Sequence, residues 1–185
     1  MRNGDLPRKH ENTKFAASKD RFVLSSFRGS LIVFSLSAVV AAGCSEKTFP
    51  KAPPAGSEMS RAIIDPYLKI QTALADDSTD DVRANAGNIA TAATALGAPA
   101  MKIDTAAVSL AGAASAATPD IKDVRDKFGT LSVAIDTYMT GLHLAAPEGV
   151  KVAVCPMVEK PWLQAGTAIA NPYYGKEMPT CGNFR

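Results

Sequence analysis

Histidine is scarce in this chain of 185 residues, which has two, and cysteine and tryptophan are scarcer still for its size, at three and one. Beyond the N-terminal stretch the only imidazole is that of His143. The sequence also lacks His-Glu-x-x-His, Gly-x-Ser-x-Gly, Cys-x-x-Cys and the glycine patterns of phosphate or dinucleotide loops. No nucleophile therefore has a matched base, and a protein that is not an enzyme is expected. A strong charge of one sign is missing too, since twenty Lys and Arg face eighteen Asp and Glu. That balance excludes the electrostatic footprint of a nucleic-acid binder. Long apolar runs are absent as well. The apolar stretch from Leu31 to Ala42, uncharged throughout, falls short of the ~20 residues that a membrane-crossing helix needs.

What is present begins with export signals. Residues 1–28 carry seven basic side chains, the uncharged stretch follows, and Ala41-Ala42-Gly43 leads into Cys44. A basic leader, a short apolar core and small residues before a cysteine resemble the lipobox of bacterial lipoproteins, in which the thiol is acylated. Residues 1–43 are expected to be a lipoprotein signal peptide, with Cys44 the lipidation site. The leader holds seven of the basic and three of the acidic residues, so the exported remainder has a formal charge of −2. Residues 44–60, with Pro50, Pro53, Pro54 and Gly56, read as a flexible tether. The expected location is the cell envelope, lipid-anchored and facing the periplasm. Ser45, where a retention signal would put Asp, points to the outer membrane if the host is Gram-negative.

Taking 43 residues from 185 leaves 142, enough for one hydrophobic core. Ile63, Ile64, Tyr67, Ile70 and Leu74 have helical spacing over about 58–75, interrupted by Asp65-Pro66, where a helix start or a kink is expected. Ser78 is read as the cap of a second helix carrying Val82, Ala86, Ile89, Ala93 and Leu96, stopped by Gly97 and Pro99. The acidic run Asp76 to Asp81 lacks the Gly and closing Glu of a calcium loop. A third helix from about Met101 to Ala116 buries Ile103, Ala107, Leu110 and Ala114. The fourth, capped by Thr118 with Pro119 in its first turn, carries Ile121, Val124, Phe128, Leu131, Ile135, Tyr138 and Leu142 at alternating steps of three and four. Met101 and Met139 read as core fillers. Val150 to Val154 alternates and reads as one short strand or extended segment. The fold class expected is all-α, an antiparallel up-and-down four-helix bundle over residues 61–185 with an irregular Pro/Gly-rich cap at 150–185.

That cap holds every cysteine after Cys44. Two soft-ligand pairs lie in it in mirrored order, Cys155 with Met157 and Met178 with Cys181. Thiolates and thioethers select Cu(I) or Ag(I) over hard cations, so the four are candidate metal ligands. Cys155 and Cys181 are equally a candidate disulfide, which closes a loop of that length for about 3 kcal/mol. Cys-Pro-Met at 155–157, Trp-Leu at 162–163 and Ile-x-Asn-Pro-Tyr-Tyr-Gly-x-x-Met-x-x-Cys-Gly at 169–182 resemble an uncharacterised helical bacterial domain, a domain of unknown function. That domain occurs in periplasmic or lipid-anchored proteins and appended to membrane-fusion proteins of copper/silver efflux systems. Here the gap from Cys-Pro-Met to Trp-Leu is shorter than the family pattern. The resemblance implies heavy-metal handling. The partners implied are the membrane, through the anchor, and an efflux or other envelope protein. The alternative is a disulfide-stapled interaction module of the envelope that takes no metal.

Overall fold

The structure, a computed structural model, describes residues 53–185; the basic leader, the apolar stretch and Cys44 lie outside the described residues. Four helices come first, α1 (Arg61–Ala75), α2 (Val82–Leu96), α3 (Met101–Ala113) and α4 (Ile121–Gly141). Each packs on the next, and the apolar spacing read from the sequence is the buried face: Ile63, Ile64, Tyr67, Ile70 and Leu74 of α1 and Val124, Phe128, Leu131 and Ile135 of α4 are all fully enclosed. α1 runs through Pro66, which sits in its second turn and gives up only one backbone donor.

Several helix starts differ from the sequence reading. Asp120, not Thr118, caps α4, accepting from the Lys122 N–H at 2.9 Å. Ser78 caps nothing; its hydroxyl closes a local turn with Asp80, and α2 starts after Asp81 in a left-handed conformation. Met101 is 62% exposed and fills no core gap, whereas Met139 is buried. The first fixed contacts of the domain lie within the segment read as tether: Met59 is buried and its N–H meets the Ala145 carbonyl at 2.9 Å. No helix among the described residues is long and apolar enough to cross a membrane.

The larger correction is to the fold class. The chain is not all-α, because the segment expected to be an irregular cap folds as a three-stranded antiparallel sheet. β1 (Val150–Cys155) is central, β2 (Lys160–Ala165) pairs with it through a hairpin, and β3 (Asn183–Phe184) pairs on its other side. Pro161 concealed β2 in the sequence, since proline is foreign to a central strand. β2 is an edge strand, and its outer side is handled residue by residue. Pro161 has no N–H to leave unpaired, and its carbonyl accepts from the Tyr173 hydroxyl. Two residues on, the Leu163 N–H donates to the Tyr67 hydroxyl at 3.3 Å.

β2 lies against both α1 and α4, so the sheet closes the side of the helical array that a bundle alone would leave to helix contacts. Tyr67 stands at that junction. Its ring stacks on Phe128 at 5.0 Å and its hydroxyl also bonds Ser132 of α4 at 2.6 Å. Burial pushes the Tyr67 phenol well above its ordinary range, with the neighbouring Tyr173 adding to the shift, so the group is a neutral hydrogen-bonding post.

Candidate functional site

β1 ends at Cys155, and the turn Pro156 to Glu159 reverses the chain, with the Glu159 N–H bonded to the Cys155 carbonyl at 2.8 Å. Cys155 is fully buried as part of the hydrophobic core. Cys181 comes two residues before β3, partly exposed and packed on the same core. The β1–β3 register therefore brings the two cysteines together from 26 positions apart. Both are free thiols. Partial burial, followed by the influence of the neighbouring Cys155 thiol, pushes the Cys181 thiol above its ordinary value.

The two methionines are placed differently. Met178 is half-buried in the turn that carries Cys181, whose N–H bonds the Met178 carbonyl at 3.3 Å. Met157 projects from the hairpin turn, 63% exposed. Among the described residues no group of three or more His, Cys, Asp or Glu converges as a metal site. His143 lies just past the end of α4, exposed and left-handed at φ 52°. The soft donors of the cap are thus two thiols and two thioethers, a set that suits Cu(I) or Ag(I) better than hard cations.

Asn171, which the sequence reading did not single out, organises the surroundings. It is fully buried, and its carboxamide nitrogen donates to the Cys181 carbonyl at 2.6 Å and lies 3.5 Å from Cys155 Sγ. Its carboxamide oxygen accepts the Tyr173 N–H at 2.8 Å and the Tyr174 N–H at 3.3 Å, an Asx turn. Asn-Pro before two aromatics was the available signal for such a turn. Gln164 binds the preceding loop in the same manner, taking Trp162 Nε1 and the Ala170 N–H on its oxygen and giving its amide to the Ala168 carbonyl. Gln71 of α1 reaches the Ala170 carbonyl at 2.8 Å.

The far end of the loop is clamped by Arg125 of α4. Its guanidinium donates to the Pro172 carbonyl at 3.0 Å and to the Leu74 carbonyl at 2.9 Å, and pairs with Asp77. The Lys176 N–H also points to the Asp77 carboxylate, at 3.3 Å. The Arg125 hydrogen bond, ahead of the other contacts, holds the Asp77 carboxyl below the usual range. Gly175 passes between these groups at φ +55°, and any Cβ there would collide with both Asp77 and Arg125. Trp162 is fully buried, edge-on to Tyr173 at 5.8 Å, and Gly182 lies against its ring.

No family model, no curated protein and no solved structure matches the chain.

Proposed function

We propose that this is a lipid-anchored, non-enzymatic envelope protein that binds Cu(I) or Ag(I) at Cys155 and Cys181, as a buffer or as an accessory to an efflux system. The observation that carries the reading is the facing pair of free thiols in a cap that is already held without them. Asn171 and Gln164 hold the cap to itself, and Gln71 and Arg125 tie it to α1 and α4. Among the described residues no buried side-chain nitrogen or oxygen lacks a partner. A cap so supported does not need a covalent staple, which leaves its thiols for chemistry. Met178, in the same turn as Cys181, is the third soft donor at hand, and Met157 is exposed.

A second reading has its own support. Cys155 is fully buried beside Cys181, and in an oxidising compartment such a pair closes to a disulfide. Anaerobic titration with Cu(I) against a chelating competitor, together with thiol counting by intact mass, separates the two. The expected result is two free thiols and one tightly held Cu(I), lost on Cys155→Ser and on Cys181→Ser. A protein isolated with no free thiol, or one whose Cu(I) binding survives both substitutions, overturns the metal reading.

A further inference from the structure

The two thiols differ in how they are held, and one side chain accounts for the difference. Cys155 ends the central strand, paired with Lys160 of β2 and sealed from solvent. Cys181 is on a turn, partly open, with no strand hydrogen bond of its own. The carboxamide of Asn171 spans them, with its nitrogen at the Cys155 sulfur and at the Cys181 carbonyl. Its oxygen is consumed by the Tyr173 and Tyr174 N–H groups, so the amide cannot flip without losing four contacts. The orientation is therefore determined, and it aims a donor at sulfur.

We propose that Asn171 is the positioning residue of the thiol pair, setting the distance between the two sulfurs and keeping Cys155 as the fixed member while Cys181 faces the solution. The inference rests on the metal-binding reading for its consequence but not for its geometry. An N–H donor at a thiolate ligand orients it and steadies its charge, and partners of this kind typically cost about 10- to 100-fold in metal affinity when removed.

The test uses the purified full chain, reduced, in two assays. In the first, with no metal present, iodoacetamide labelling is followed residue by residue. Cys181 is expected to react well before Cys155 in the wild type. The difference should shrink at least tenfold in Asn171→Asp, whose carboxylate keeps the acceptor for Tyr173 and Tyr174 but donates to neither the Cys155 sulfur nor the Cys181 carbonyl, and in Asn171→Ala. In the second, Cu(I) affinity by competition is expected to fall about 10- to 100-fold in both variants. Arg125→Gln is the control, because it loosens the other end of the same loop and touches neither thiol. If Arg125→Gln matches the Asn171 variants in both assays at equal thermal midpoint, Asn171 acts only through loop stability and the inference fails. Unchanged labelling and unchanged affinity in the Asn171 variants also overturn it. A wild type that takes no Cu(I), with labelling still dependent on Asn171, overturns the metal reading and leaves the positioning role standing.

Discussion

Replacing Tyr67 by Phe removes one oxygen from the centre of the molecule and should be costly for an identifiable reason. The ring keeps its stacking on Phe128, so little packing is lost. The Leu163 N–H, however, faces away from β1 and has the Tyr67 hydroxyl as its partner. A buried donor left unpaired costs about 1–3 kcal/mol, and the lost bond to Ser132 adds about 1 kcal/mol. The net expectation is about 2–4 kcal/mol. With a urea dependence of about 2 kcal/mol per molar for a domain of this size, the unfolding midpoint should drop by about 1–2 M. Equilibrium unfolding followed by Trp162 fluorescence measures it, and Ser132→Ala completes a double-mutant cycle with positive coupling expected. A midpoint shift under about 0.3 M at unchanged slope would refute the reasoning, because the edge of β2 would then not depend on that hydroxyl.

Two further outcomes follow from the Arg125 clamp. Gly175→Ala adds the ~1–2 kcal/mol of a left-handed alanine to the displacement of Asp77 and Arg125, and should lower the thermal midpoint by several degrees; a midpoint within one degree of wild type would sink the argument. Asp77 has its folded pKa below its unfolded one, so its contribution is present above the unfolded value of about 4 and is lost as pH falls from there through the folded value. The acid limb of the stability profile should therefore flatten below about pH 4 in Asp77→Asn, and an unaltered limb would show that the pair is not formed in solution.

The helical half of the fold was legible because burial alone dictates it. Each periodic apolar position of α1 and α4 faces the core, and a period near 3.6 has one structural meaning. The sheet was not legible beyond the alternation of Val150 to Val154, because β2 contains a proline that only an edge position tolerates. Being an edge is a property of the pairing order and not of the segment. The cysteines stood out by their rarity, and the structure brings them together. Met157 shows the limit of counting soft residues, since proximity in sequence to Cys155 did not keep it off the surface. Asn171 and Arg125 act through groups 10 to 51 positions away, among them carbonyls that no side-chain pattern reveals.

The outer side of β2 has a consequence for how this domain behaves in company. A strand edge recruits other strands when it offers a row of free donors and acceptors. Along β2 the proline at 161 removes one donor, Tyr173 occupies the acceptor beside it, and Tyr67 takes the next donor. On the opposite side of the sheet β3 is only two residues long. Among the described residues the rim of β2 is thus interrupted at three successive groups and that of β3 is short, so the same contacts that join sheet to helices also make either edge a poor template for a neighbouring copy.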